Sequence, residues 1–324
     1  MTQTQDVHAI AAAAQRAVLA ARAYQGATAP NPPVGCAILD SKGAVLAVAA
    51  HQKAGSAHAE ALAIAACRAA GTYDQIDTFV VTLEPCNHHG RTAPCTDAIL
   101  QTPARRVFIG ARDPNPRVAG GGTARLRAAG LAVYDWQALG MAGTCTGIGA
   151  DALIAPFRKR VLTGRPWITV KQVVDAGGSM IPPAGRKTFA RQSSLELAHA
   201  MRRRAEVIVT GAGTVLADWP LFTVRHLADF PDHRRALVVL DRRGRVPTRY
   251  LTDAQTRGFD ARIATDLAEA LHDPRATEVL VEAGPILTDA VLQSALWDQH
   301  VLIRVGADAD TITTTYREAS HVAA

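Results

Sequence analysis

Aromatic residues make up only 5% of this 324-residue chain, too few for the rows of stacking rings that hold single-stranded nucleic acid. No apolar run approaches the roughly 20 residues needed to cross a bilayer, so no membrane span is expected. Met1 to His8 lack the basic-then-apolar pattern of a secretory leader, and the cytoplasm is the expected compartment. Of 5 cysteines, Cys36, Cys67 and Cys145 read as small core residues, because disulfides are rare where thiols are kept reduced. There is no internal repeat and no low-complexity tract beyond alanine-rich segments and a polar, Thr-rich tail at Thr311 to Thr315. A complete dinucleotide fingerprint is missing too. Gly211-Ala212-Gly213 follows a strand-like run, but Leu216 stands where the third glycine belongs.

What is present suits a globular enzyme. Apolar residues reach 48% and charged residues 20%, and a chain of this length predicts roughly two domains. The net charge of +6 suits phosphorylated small molecules, a nicotinamide phosphate or nucleic acid. The basic residues are dispersed, with small clusters at Arg202-Arg203-Arg204 and Arg234-Arg235. With so few aromatics, a nucleic-acid platform is disfavoured.

The most telling pattern is His58-Ala59-Glu60, then Pro85-Cys86, then Cys95. One imidazole and two thiolates make a three-ligand Zn²⁺ site with its fourth position open to water. Such a water falls from a pKa of about 15.7 to roughly 7, and its hydroxide can attack a ring carbon bearing an exocyclic amine. Glu60 is then placed to move protons from the water to a ring nitrogen and to departing ammonia. This order of residues is the signature of zinc deaminases acting on nucleobases, in a variant with eight residues, Asn87 to Pro94, between the cysteines. The helix formers of Glu60 to Ala70 predict a helix stopped at Gly71, with His58 and Glu60 in its first turn. Thr78 to Leu83 predicts a buried strand ending at Glu84-Pro85, and a helix starting near Cys86 would favour its thiolate.

The domain boundary is expected between Trp136 and Trp167. Residues 1–147 form the first domain, 148–165 a linker and 166–324 the second domain. Beyond it, Trp167 to Val174, Val207 to Val209, Leu237 to Leu240 and Val279 to Val281 read as strands alternating with helices. Such alternation predicts a mostly parallel sheet covered by helices. The apolar stretch Ala290 to Trp297 faces either a core or a partner subunit, so a homo-oligomer is compatible with the sequence.

Pro30-Asn31-Pro32-Pro33-Val34-Gly35, His51, Glu84-Pro85-Cys86-Asn87-His88-His89-Gly90-Arg91-Thr92 and Asp113-Pro114-Asn115-Pro116 occur in that order. The series closely resembles the bacterial riboflavin-biosynthesis deaminase/reductase family, RibD. The resemblance runs from about Ala9 to about Val305 and is more specific in the first half. It implies an α/β protein: a cytidine-deaminase-like zinc domain, with a mixed sheet between helices, followed by a dihydrofolate-reductase-like domain using NADPH. It further implies a pyrimidine substrate carrying a ribosylamino 5′-phosphate, deaminated on the ring and then reduced from ribosyl to ribityl. Asn31, His51, His88, Asp113 and Asn115 become deaminase pocket residues; an Asn amide or Asp carboxylate suits pyrimidine edges, and His suits phosphate or ribose. In the second half the resemblance assigns Lys187, Arg203, Phe222, Arg225 and Glu282 to the reductase substrate. It assigns Phe189, Thr214, Asp218 and Gly284 to the cofactor.

The second half also departs from the family. A serine is replaced by Lys187, a tryptophan by Phe189 and an aspartate by Trp219, and the family's sheet usually continues beyond Val301 to Val305. A truncated reductase domain is therefore one expectation. Three readings stay open: a bifunctional deaminase and NADPH-dependent reductase; a deaminase whose second domain has drifted to a related pathway or to an interaction role; and a nucleic-acid base deaminase. Arg91 and the long inter-cysteine segment favour the first two.

Overall fold

A computed structural model describes residues 3–88, 93–116, 118–136, 149–182 and 190–317. The chain divides into two compact units, Met1–Leu162 and Thr163–Ala324.

The first unit is a five-stranded mixed sheet of order β2-β1-β3-β4-β5. Its strands are β1 (Gly35–Leu39), β2 (Val45–Ala50), β3 (Thr78–Leu83), β4 (Arg106–Ala111) and β5 (Ala132–Asp135). β1 runs antiparallel to β2 and β3, while β3, β4 and β5 are parallel. Alternation along β1 sorts its side chains onto two faces. Ala37 and Leu39 join Val80 and Phe108 under α1 (Gln3–Arg22), with Ile154 of α5 (Ala150–Thr163). Cys36 and Ile38 join Phe79, Val81 and Ile109 on the other face, against α2 (Ala59–Ala69), α3 (Cys95–Leu100) and α4 (Gly121–Ala128). α1 sits very close to the sheet: a Cβ on Gly35 would lie 2.0 Å from the Ala17 carbonyl oxygen.

β3 follows the expected bounds, and α2 lies within one residue of them at each end. The expected helix at Cys86 is not there. Cys86 lies in irregular chain after Pro85, and the helix starts at Cys95 behind Pro94. Most of the stretch expected as a linker, 148–165, is the helix α5.

The second unit is a seven-stranded sheet of order β12-β11-β6-β10-β7-β8-β9. It comprises β6 (Trp167–Val174), β7 (Val207–Gly211), β8 (Ala236–Leu240), β9 (Asp260–Ala264), β10 (Glu278–Glu282), β11 (Gln299–Arg304) and β12 (Thr311–Tyr316). All pairings are parallel except β11 with β12. On one face, α6 (Gln192–Arg204), α7 (Ala212–Asp218) and α8 (Thr248–Thr256) pack through Met201, Val215 and Tyr250. On the other, α9 (Leu267–Leu271) and α10 (Pro285–Gln293) pack through Leu271, Leu287 and Val291. The Thr-rich stretch read as a tail is thus the edge strand β12, exposed along its whole length. β-branched Thr favours an extended chain even where no side chain is buried.

Candidate active site

One edge of the first sheet gathers the start of β1, the end of β2 and the carboxyl ends of β3 and β4, the ends beyond which α/β sheets bind ligands. A cavity of about 500 Å³ opens there, lined by Asn31, His51, His88, Asp113 and Asn115 together with His58, Glu60, Glu84 and Cys86. His58 is the N-cap of α2, with extended backbone, and Glu60 lies in that helix's first turn.

The His58 Nδ1 atom lies 3.2 Å from the Cys95 Sγ and 3.6 Å from the Cys86 Sγ. One donor atom from each residue falls within 4.8 Å of the others. Ligand atoms around a tetrahedral Zn²⁺ sit roughly 3.3–3.8 Å apart, so this nitrogen and two sulfurs fit that ion. Cys95 also donates its backbone N–H to the Cys86 sulfur at 3.3 Å. The helix start that reaches the Cys86 thiolate is therefore that of α3. Hydrogen bonding from the Cys95 thiol, and then from His58, pulls Cys86 below the ordinary thiol range. The same contact with Cys86 drives Cys95 upward.

Glu60 is 3% exposed, and its Oε2 has no hydrogen-bond partner. Burial raises its pKa, which moves a carboxyl toward holding a proton near neutrality. His51 donates from Nδ1 to the Ala57 carbonyl at 3.1 Å. Burial lowers its pKa, so the ring is neutral and its Nε2, which is buried and lacks a protein partner, is a hydrogen-bond acceptor. Asp113 accepts the Asn115 N–H at 2.9 Å, and burial, followed by the Glu84 charge, raises its pKa.

In the second unit, neighbouring parallel strands β7 and β10 lead into α7 and α10. The turns touch: Gly284 donates its N–H to the Thr214 Oγ1 at 2.8 Å, and a Cβ on Gly284 would lie 3.2 Å from that oxygen. Glu282, the last residue of β10, accepts from Arg202 Nε at 2.7 Å, Arg202 Nη2 at 2.5 Å and Lys171 Nζ at 2.6 Å. Burial alone would raise its pKa, but Arg202 and Lys171 outweigh burial and hold the carboxyl well below the usual range. His199 accepts the Arg225 N–H on Nδ1 at 2.8 Å, and burial, then Arg202, push its pKa down to about 4. Trp219 and Phe222 both take positive φ, 45° and 55°, a costly backbone for bulky side chains. Packing holds that turn: Trp219 meets Tyr250 edge-on at 5.1 Å, and Arg202 lies over the Phe222 ring at 5.6 Å.

Residues 8–111 match the family described as the cytidine and deoxycytidylate deaminase zinc-binding region, and residues 166–307 match the RibD C-terminal domain. The chain is 31% identical to the riboflavin biosynthesis protein RibD of Escherichia coli K12, covering 92% of this chain and 89% of that protein. The chain belongs to the RibD family. Riboflavin biosynthesis protein RibD from Mycobacterium tuberculosis CDC 1551 is 35% identical, over 83% of this chain and 77% of that one. Acinetobacter baumannii RibD superposes with a TM-score of 0.73 at 28% identity, over 94% of this chain and 89% of that one. A Thermotoga maritima structure, a diaminohydroxyphosphoribosylaminopyrimidine deaminase/5-amino-6-(5-phosphoribosylamino)uracil reductase, superposes at 0.74 and 28% identity, covering 92% and 87%. The RibD fold, a cytidine-deaminase-like domain followed by a reductase domain, accounts for both sheets. The nucleic-acid deaminase reading is not favoured.

Within this RibD framework, the five expected deaminase pocket residues line one cavity with the His58–Glu60–Cys86 cluster. Lys187 and Phe189 lie outside the described residues, as does Cys145. Asp218 is exposed at the end of α7. Arg225 is exposed and donates to the Thr223 Oγ1 at 2.8 Å. Arg203 turns away from Glu282: it donates to the Ala228 carbonyl and lies 4.9 Å over the Phe230 ring. Its neighbour Arg202 reaches Glu282 instead. The helical period carries that signal, because Ala198, Met201 and Ala205 are buried and Arg202, unlike Arg203, flanks their stripe. Lys171, His199 and Glu84 are site residues that sequence reasoning does not single out.

Proposed function

We propose that this RibD-family chain removes a ring amine from 2,5-diamino-6-ribosylamino-4(3H)-pyrimidinone 5′-phosphate and then reduces the product's ribosyl group to ribityl with NADPH. The observation that carries the first step is a buried Glu60 whose Oε2 has no hydrogen-bond partner, beside the cluster of His58, Cys86 and Cys95 donor atoms, with His58, Glu60 and Cys86 lining one cavity. His58, Cys86 and Cys95 would hold Zn²⁺, which supplies the acidification of water when bound. Glu60 takes a proton from the attacking water and places it on the adjacent ring nitrogen, then takes the remaining proton of the added hydroxyl and gives it to the departing amine. C–NH₂ and water thereby become C=O and ammonia. The His51 Nε2, buried and without a protein partner, accepts from a substrate amino or hydroxyl group. Asn31, Asp113 and Asn115 pair with pyrimidine edges, and His88 faces the polar side chain.

For the second step, the touching turns at Gly284 and Thr214, with Asp218, fit a dinucleotide laid across the carboxyl ends of β7 and β10. NADPH supplies hydride when bound there. The ionised Glu282, fixed by Arg202 and Lys171, receives the sugar hydroxyls, while Arg225 and Phe222 border the substrate. Lys187 and Phe189 complete this assignment from sequence. In domain terms we assign 1–147 to the deaminase, 148–165 to the connection and 166–324 to the reductase. No helix among the described residues is long and apolar enough to cross a membrane.

The test is sequential. Ammonia release from the diaminopyrimidine substrate, followed by loss of nicotinamide absorbance when NADPH is added, supports both steps. No ammonia refutes the first; ammonia without NADPH oxidation refutes the second.

A further inference from the structure

The wall of the deaminase cavity formed by Asp113, Asn115 and Val118 sits on the loop between β4 and α4. Within it, Asn115 donates to the Asp113 side chain, and the Val118 and Ala119 N–H groups donate to the Asn115 carbonyl. What closes this loop comes from another strand. Glu84, one residue past β3 and 5% exposed, accepts three backbone N–H groups. Its Oε2 takes Gly120 at 3.0 Å and Asp113 at 3.4 Å, so one oxygen gathers both ends of the loop. Its Oε1 takes Thr123 at 2.9 Å, in the first turn of α4. That helix has no side-chain cap of its own at Gly120, so Glu84 satisfies amides a helix start leaves without partners.

The residues after Glu84 dock on the same helix end. A Cβ on Gly122 would lie 2.1 Å from the Pro85 carbonyl oxygen. Asn87 donates to the Gly121 carbonyl at 3.2 Å and accepts from Thr96 and Arg125, each at 3.0 Å. Cys86 lies between these two anchors. Residues 84–87 therefore tie one metal-ligand candidate and the substrate wall to a single helix start.

We propose that Glu84 is a positioning residue for deamination. It touches no reacting atom; its carboxylate holds the Asp113–Asn115 wall at the distance from Cys86 that lets the pyrimidine ring and the attacking water meet. The inference rests on the deaminase reading above.

The test is steady-state deamination by full-length wild type, Glu84→Gln, Asn115→Ala and the double variant, with zinc content measured for each. The amide of Glu84→Gln keeps the volume but turns an NH₂ donor toward backbone donors. KM should rise about tenfold, the size of one lost well-formed interaction, with zinc content unchanged and kcat falling less than KM rises. On the Asn115→Ala background, Glu84→Gln should add under about twofold, because residues acting through one another are non-additive. Wild-type KM in Glu84→Gln, or independent multiplication of the two effects, overturns the proposal. If Glu84→Gln does not fold, Gly120→Ala serves. Gly120 has φ +76°, and a Cβ added there would meet nothing within 4 Å, so that variant strains the loop closure without a clash. It should raise KM with zinc retained, and an unchanged KM overturns the proposal. A wild type that releases no ammonia sinks the deaminase reading itself, an outcome separate from these.

Discussion

Replacing Glu282 by Gln should cost the second unit more than any other single isosteric change near its candidate site. Glu282 and Lys171 side chains are 11% exposed and Arg202 is 12% exposed, so the ion cluster is nearly sealed. Losing the carboxylate leaves two like charges facing each other in a poorly hydrated place. Removing one partner of a buried pair typically costs about 3–5 kcal/mol, and the residual exposure argues for the lower end, about 3 kcal/mol. In a domain of this size, each kcal/mol moves the melting temperature by about 2–4 °C, giving a drop of about 6–12 °C at pH 7. Trp167, Trp219 and Trp297 all lie in the second unit, so tryptophan fluorescence follows the right transition. The pH dependence has a definite sign. The folded carboxyl is held below its unfolded value, so its contribution is complete above about pH 4.3 and fades as pH falls further. Wild-type and variant melting temperatures should converge on acidification below about pH 4. A shift under about 2 °C at pH 7, or an equal shift at pH 3, would refute the account.

Glu60→Gln should retain zinc and lower the rate of ammonia release by about 10²–10⁴-fold, the usual worth of a positioned proton carrier; turnover near wild type rules out the shuttle. Cys95→Ser should lower zinc affinity by more than the roughly 10–100-fold that losing an outer hydrogen-bond partner costs, read by chelator competition. Glu206, whose pKa burial pushes up to about 8, accepts the Thr277 and Glu278 N–H groups at 3.1 and 2.7 Å. An unfolded Glu ionises near pH 4.3, so this group destabilises the fold progressively as pH rises from there to about 8. Glu206→Gln should therefore gain stability at pH 8.5, by at most about 5 kcal/mol, and almost nothing at pH 4, measured by urea denaturation; equal effects at both pH values would contradict this.

How much can be read from residues alone differs by element. β3 and β6 are legible because both are rich in β-branched residues and are followed closely by Pro85 and by Asp175. The His58, Cys86 and Cys95 grouping is legible because ligand chemistry restricts residue type more than it restricts spacing. The start of α3 at Cys95 escapes a reading centred on Cys86, although Pro94 precedes it, a common helix opening. β12 escapes because exposed Thr carries no burial pattern. Arg202 and Arg203 differ only by the 100° turn of a helix, which is decided by where Met201 packs. Glu84 cannot be found at all: its partners are backbone amides 29, 36 and 39 residues away, and backbone amides leave no trace in residue type.

The close seating of α1 on Gly35 bears on how small a working deaminase half can be made. That helix supplies Ile10, Ala13, Ala14, Ala17 and Val18 to the side of the sheet it shares with Ile154 of α5. A shortened version starting at β1 would leave Ala37, Leu39 and Val80 wetted and would free the strand that leads out of Asn31. Trimming should stop before that helix, and any tag is better joined ahead of it than in its place.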